Sequence, residues 1–132
     1  MGVATQSAAP AAPAAEGPPT GRVAFLLSQA GHVLQTRLTA ALEDLFVTPR
    51  SWCLLSTAMT GDYTQSELAQ AVGLDKTTMV VTMDELEAAG LARRVPSATD
   101  RRVRVIAVTP EGEAKVAEAQ KVVDRVHEEV LA

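Results

Sequence analysis

The pattern of hydrophobic and polar positions changes near residue 21. Residues 1–20 are rich in alanine and proline, and Glu16 is their only charged side chain, so this segment predicts a disordered tail. A polyproline segment that binds a partner is the alternative interpretation. From residue 21 to 47 the spacing of apolar residues predicts an amphipathic helix. Its apolar stripe is Val23, Leu26, Leu27, Ala30, Leu34, Leu38, Ala41 and Leu45.

A threonine followed by a proline predicts where the second helix begins. Thr48 fits an N-cap and Pro49 the first helical position, and a helix of about ten residues follows. We expect Trp52, Leu55 and Met59 to face inward from it.

Two further helices are separated by a glycine turn. Residues 64–67 (Thr-Gln-Ser-Glu) form a capping box that opens a short helix, which Gly73 ends. Asp75 caps a second helix, and Gly90 closes it. Two helices joined by a tight turn are typical of a helix-turn-helix. The residues that the second helix directs toward the core are Met79, Met83 and Leu86.

After this helix the period changes to two. Residues 91–95 and 103–108 predict two strands around the polar loop 96–102, and Thr109-Pro110 starts a last helix. The fold class is therefore mainly α with a small β-hairpin, a winged helix-turn-helix flanked by N- and C-terminal dimerisation helices. The predicted divisions are a tail (1–20), an N-terminal helix (21–47), the winged core (48–108) and a C-terminal helix (109–132).

Charge is unevenly distributed. The 132 residues carry a net charge of −4, yet residues 93–104 contain five arginines and one aspartate. A hairpin beside a helix-turn-helix can reach the minor groove of DNA while the second helix enters the major groove. Arginine is favoured in a narrow minor groove, so Arg101 and Arg102 are the predicted contacts there. A solvated, charged loop is the alternative for this segment alone.

The second helix offers a polar face near its N-terminus. Thr77, Thr78 and Val81 are predicted to face outward beside Lys76, where threonine hydroxyls can bond to bases or phosphates. Val81 would instead fill the core if the helix phase differs. The acidic residues that follow, Asp84, Glu85 and Glu87, would repel DNA, so only the first two turns can dock.

The sequence lacks the motifs typical of enzymes, cofactor sites and metal sites. It contains no glycine-rich phosphate loop, HExxH motif or nucleophile elbow, so we predict no enzyme, no cofactor and no metal site. No apolar run is long enough to span a membrane, and the single Cys53 fits a reducing cytoplasm. Cys53 is expected in the core rather than as an oxidant sensor. His32 and His127 are expected at the surface or in a pocket.

The run LAQAVGLDKTTMVVTMDELEAAGLARRVPSATDRRVRVIAVTPEG, residues 68–112, resembles the winged-helix core of the MarR-type transcriptional regulators. The resemblance implies a homodimeric, ligand- or oxidant-responsive protein, usually a repressor, that binds a pseudo-palindromic DNA site. It also implies that Lys76, Thr77 and Thr78 enter the major groove and that Arg102 enters the minor groove. Asp100 would brace the wing, with Arg94 as its ion-pair partner.

The complete set of predicted DNA-binding residues is Thr64, Gln65, Ser66, Lys76, Thr77, Thr78, Val81, Arg94, Asp100, Arg101 and Arg102. The expected partners are double-stranded DNA, a second copy of the chain and a small-molecule effector of unknown identity. Two features depart from the family pattern. Val80-Val81 stands where a threonine-arginine pair is common in the family. The sequence also ends at Ala132, before the further helix that such proteins usually have, which is expected of either a short natural variant or a truncation.

The last helix carries an apolar seam that suits either a dimer interface or packing against the first helix of the same chain. The seam residues are Val116, Ala119, Val123, Val126 and Val130. The hypothesis that competes with the DNA-binding regulator is a winged-helix protein-interaction module that does not bind DNA.

Overall fold

The computed structural model describes residues 19–131, and the predicted tail lies outside them except for its last two residues. These two are helical, because the first helix begins at Pro19 rather than at residue 21. The helices are α1 (Pro19–Leu42), α2 (Pro49–Ala58), α3 (Gln65–Val72), α4 (Lys76–Ala88) and α5 (Pro110–Leu131), with a 3-10 turn at Glu43–Leu45. The strands are β1 (Ala92–Pro96) and β2 (Arg104–Val108).

The chain divides into two units after Thr36. In the described part of the first unit, α1 exposes several large apolar side chains instead of burying one stripe. These are Val23, Phe25, Leu26, Leu27 and Val33. The predicted helix is confirmed there, and farther along α1, in the second unit, Leu38 and Leu42 are buried.

The second unit, residues 37–131, holds the hydrophobic core. Helix α2 begins as predicted, because Thr48 Oγ1 accepts a hydrogen bond of 3.0 Å from the Ser51 N–H and Pro49 is the first helical residue. The buried core of this unit is formed by Leu54, Leu55, Ala58, Leu68, Ala69, Met79, Met83, Leu86, Ala92 and Ile106. The three core positions predicted for the second helix of the helix-turn-helix are thus confirmed.

Two expectations for α2 are wrong. Met59 is 46% exposed, because it is the C-cap residue beyond the last packed turn. Cys53 is exposed as well. At 100° per residue, Leu54, Leu55 and Ala58 define the inward face of the helix, and Cys53 falls on the opposite side.

The wing is an antiparallel hairpin in which Arg94 pairs with Ile106 and Pro96 with Arg104. A feature that the sequence did not reveal is a bridge between Thr64 and Val105. The N–H of Ile106 donates a 2.8 Å hydrogen bond to the carbonyl oxygen of Tyr63. The segment before α3 therefore extends the hairpin by one short pairing and fixes the wing against the helix-turn-helix.

The junction between the hairpin and α5 is built around Thr109. Its hydroxyl donates to the carbonyl oxygen of Gly90 at 2.6 Å and accepts from the N–H of Gly112 at 3.0 Å. One buried side chain thus joins the turn after α4 to the first turn of α5.

The apolar seam of α5 is largely internal to the chain. Ala119, Val123 and Val126 are buried within the single chain, where α5 packs on α2 and on β2. Of the two alternatives for the seam, burial of these three residues favours packing within the chain. An ion pair of 3.5 Å between Arg37 and Glu129 joins the end of α1 to the end of α5.

Candidate nucleic-acid interface

The N-terminus of α4 is organised by Asp75. Its carboxylate accepts hydrogen bonds from the Thr78 N–H at 2.8 Å and from the Thr78 hydroxyl at 2.9 Å. These bonds favour the charged form and lower the pKa of Asp75. The Thr78 hydroxyl is therefore bound to the cap, which leaves Thr77 and Lys76 as the exposed polar side chains of the first turn.

The outward face of α4 is apolar at one position. Val81 is 51% exposed, so the alternative in which it fills the core is wrong. Val80 is half-buried. An exposed valine one turn into this helix offers a methyl contact to DNA and no hydrogen bond.

A groove of about 330 Å³ lies between α3 and α4. Gln65, Ser66 and Lys76 form part of its polar wall, and Leu74 and Met79 contribute apolar surface. Three of the predicted DNA-binding residues are thereby brought together at one opening. Thr64 lies just before them, where its hydroxyl and the Glu67 carboxylate form the predicted capping box.

Arg94 does not pair with Asp100, so that expectation is wrong. Its guanidinium binds the carboxylates of Glu87 and Asp84, the latter at 3.1 Å, and Nε donates to Gln65 Oε1 at 2.8 Å. The side chain is 26% exposed. Arg94 lies on β1 in register with Ile106, so its side chain reaches α4 and α3 rather than the wing tip.

The same contacts alter the charge of α4. Asp84 and Glu87 were expected to repel DNA, but both are paired with Arg94. Glu85 is exposed and takes part in no ion pair within residues 19–131. Pairing lowers the effective negative charge along the helix beyond its first two turns.

Asp100 braces the wing tip through Arg102. Its Oδ1 accepts from the Arg102 N–H at 3.1 Å and from Arg102 Nε at 3.2 Å. The side-chain bond and then the backbone bond lower the pKa of Asp100. A further bond of 3.0 Å from the Val103 N–H to the Asp100 carbonyl oxygen closes the turn.

The wing tip presents its cations to solvent. The Arg102 side chain is 91% exposed although it contacts Asp100, and Arg101 and Arg104 are exposed as well. The structure thus separates the predicted residues into a helix group at the α3–α4 groove and a wing group at the hairpin tip. Arg94 lies between the two groups, on β1, and its side chain contacts α3 and α4.

Across 19–131 no three His, Cys, Asp or Glu side chains are grouped so as to hold a metal ion. Among the helices that the structure describes, none combines the length and the apolar character that crossing a membrane requires.

Comparison with known proteins agrees with this geometry. The family model described as MarR family matches residues 47–103, which contain α2, α3, α4, β1 and the wing loop up to the start of β2. The crystal structure of a MarR-family transcriptional regulator from Rhodococcus sp. RHA1 is 31% identical, with a TM-score of 0.74, and the match covers 83% of this chain and 79% of that one. The chain belongs to the MarR family.

Another MarR-like neighbour has been solved in two complexes. CouR from Rhodococcus jostii RHA1 bound to p-coumaroyl-CoA is 34% identical, with a TM-score of 0.74, over 80% of this chain and 75% of that chain. The transcriptional repressor CouR bound to a 23-mer DNA duplex aligns at 28% identity, with a TM-score of 0.73, over 82% and 77%. MarR-family regulators are generally non-enzymatic transcription factors, and the fold described above is theirs.

Proposed function

We propose that this MarR-family regulator is a cytoplasmic homodimeric repressor that binds double-stranded DNA sequence-specifically, with α4 in the major groove and the wing in the minor groove. The observation that carries the proposal is the exposed cationic wing tip held next to a helix-turn-helix whose acidic residues Asp84 and Glu87 are partly offset by the single positive charge of Arg94. That arrangement places positive charge locally on a chain that is acidic overall, which a polyanionic partner requires.

Each group of residues has a role in this proposal. Gln65, Ser66, Lys76 and Thr77 meet the major groove, where Lys76 and the N-terminus of α4 favour phosphate. Thr64, Thr78 and Asp100 hold these elements in shape through their hydrogen bonds. Arg101 and Arg102 enter the minor groove, and Val81 contacts a thymine methyl.

The exposed apolar residues of α1 support the homodimer. Isolated exposed apolar side chains are ordinary, but five large ones on one helix form a surface typical of an interface. We propose that a second copy of the chain covers them. A twofold dimer would read a pseudo-palindrome with half-sites about 10 bp apart.

We propose that a small-molecule effector relieves repression. CouR has been solved with p-coumaroyl-CoA, so an acyl-CoA thioester is the first class of ligand to test. Within the described residues, the buried indole N–H of Trp52 has no hydrogen-bond acceptor. A buried donor without an acceptor costs about 1–3 kcal/mol, so a ligand that supplied an acceptor there would be favoured.

A selection experiment tests the proposal. Purified protein is used to select duplexes from a random pool, and sedimentation then gives the number of chains on a selected duplex. We expect a near-palindromic site occupied by two chains. Selection of no sequence would overturn the proposal and favour the protein-interaction module, and one chain per duplex would overturn the dimer.

A further inference from the structure

The orientation of the Gln65 side-chain amide is fixed by Arg94. A guanidinium group has only donors, so the group that faces Arg94 Nε at 2.8 Å must be the amide oxygen of Gln65 and not its nitrogen. The nitrogen, Nε2, is therefore directed away from the guanidinium. A rotation of the amide would lose this bond and bring two donors together.

Arg94 is itself held on several sides. Its guanidinium contacts Glu87 and Asp84, and its backbone N–H donates to Glu87 Oε2 at 3.2 Å. Because Arg94 has several partners from α4, it cannot follow a rotating glutamine without breaking charge-assisted bonds. The orientation of the amide is thus set before any ligand arrives.

The free end of Gln65 lies at the candidate DNA interface. Gln65 lines the groove between α3 and α4 together with Ser66 and Lys76. Within residues 19–131 its Nε2 group donates to no protein acceptor. This position therefore offers DNA two amide N–H donors, while the oxygen is turned toward Arg94 and already accepts one hydrogen bond from it.

Such an amide discriminates among base edges in an unusual way. Glutamine ordinarily pairs with adenine through two bonds, donating to N7 and accepting from the N6 amino group. Here the amide oxygen faces the Arg94 guanidinium, so the nitrogen and not the oxygen is the group directed away from it. Guanine presents two adjacent acceptors, N7 and O6, in the major groove.

We propose that Gln65 reads a base through its amide N–H donors and so selects guanine over adenine in each half-site, and that Arg94 is the positioning residue that imposes this selectivity by holding the amide oxygen. The inference rests on the proposed function, since it needs the helix-turn-helix to lie in the major groove. It goes beyond that proposal by naming the base that one side chain recognises and the residue that restricts its choice.

Two variants separate this role from a structural one. Gln65→Glu keeps an oxygen acceptor for Arg94 but removes the amide donors, and Gln70→Glu, in the same groove, is the control for the added negative charge. Arg94→Met removes the guanidinium and frees the oxygen of Gln65. All proteins are tested by fluorescence anisotropy against the selected duplex and against duplexes with each base exchanged at every half-site position.

The wild type should prefer guanine at one position by roughly 5- to 100-fold over adenine, the discrimination expected of a good paired contact. Gln65→Glu should lose that preference and keep the others, whereas Gln70→Glu should keep all of them. Arg94→Met should shift the preference toward adenine, which a purely structural role of Arg94 would not produce.

Three outcomes would overturn the inference. If Gln65→Glu retains the full base preference, Gln65 reads no base. If it weakens binding to every duplex equally beyond Gln70→Glu, its contact is to a phosphate. A wild-type protein that selects no sequence defeats the proposed function as well, whereas the first two outcomes leave it standing. Should Arg94→Met fail to fold, the comparison of Gln65→Glu with Gln70→Glu still decides.

Discussion

The carboxylate of Glu87 accepts hydrogen bonds from both the backbone N–H and the guanidinium of Arg94. Glu87 lies in the last turn of α4 and Arg94 in the middle of β1, so the two bonds join α4 to the wing. In the proposed function, this connection would let α4 and the hairpin dock on DNA together, because it fixes their relative placement in the free protein.

Removing this carboxylate should destabilise the fold. Glu87→Ala leaves donors of the partly buried Arg94 unpaired, and we expect a loss of about 1–2 kcal/mol in the free energy of unfolding. Urea denaturation, monitored by circular dichroism, measures this free energy of unfolding. Glu85→Ala, an exposed position on the same helix, should change the value by less than about 0.5 kcal/mol. Equal effects of the two substitutions would show that the Glu87–Arg94 contact contributes nothing.

The wing arginine should contribute to DNA binding without supporting the fold. Because Arg102 is 91% exposed, Arg102→Ala should leave the unfolding midpoint nearly unchanged. It should weaken binding to the selected duplex by about 1–3 kcal/mol if the side chain lies in the groove. Arg125→Ala, an exposed charge on α5, is the matched control and should bind like wild type. An Arg102→Ala protein with unchanged affinity at low salt contradicts the placement of the wing.

The Asp100–Arg102 contact makes a prediction about pH. The Arg102 side chain and then its backbone N–H lower the pKa of Asp100 below its ordinary value of 3.8. A carboxyl group with a depressed folded-state pKa stabilises the wing above the unfolded-state pKa and loses that effect as pH falls through the folded-state pKa. The brace is therefore complete at neutral pH and is lost only in the acidic range below that ordinary value.

An NMR titration of the Asp100 carboxyl checks this directly. We expect its midpoint below the ordinary value in the wild type and closer to that value in Arg102→Ala, where the backbone bond alone remains. A midpoint that is the same in both proteins would show that the side chains do not interact in solution.

Gly112 is required by its surroundings rather than by its backbone angles. A Cβ atom there would lie 2.1 Å from the carbonyl oxygen of Leu91. Gly112→Ala must therefore displace the start of α5 from the hairpin, and we expect a loss of about 1–3 kcal/mol in unfolding free energy. Gly61→Ala, where the nearest atom is 3.7 Å away, should cost far less. A stable Gly112→Ala protein would contradict this packing of α5.

Most of the fold could be predicted from local signals. Thr48, Thr64 and Asp75 cap helices where the sequence indicated, and Gly73 and Gly90 both adopt the left-handed backbone that ends a helix. Such signals act within a few residues, so a single sequence reveals them. The wing strands were also predicted, and each begins one residue later than expected.

The interactions that the sequence could not supply are those between distant segments. Arg94 contacts Gln65 across 29 positions of the chain, and no local pattern distinguishes that partner from Asp100. The same holds for the bridge from Thr64 to β2 and for the burial of the α5 seam. Helical phase was the weaker local signal, since it misplaced Met59 at the end of α2. Apolar neighbours in the sequence were equally misleading for Cys53, which lies on the outer side of the same helix.

Sequence-selective DNA binding by this protein can be measured in a salt series of equilibrium binding experiments. The affinity for the DNA immediately upstream of the protein's own gene, and for random DNA of equal length, is measured by anisotropy at several ionic strengths. Log K should fall linearly with log salt, by about 0.9 per phosphate contact, and the upstream DNA should be bound far more tightly than random DNA at every salt concentration. Equal, weak binding to both duplexes, with no salt dependence, would contradict the account.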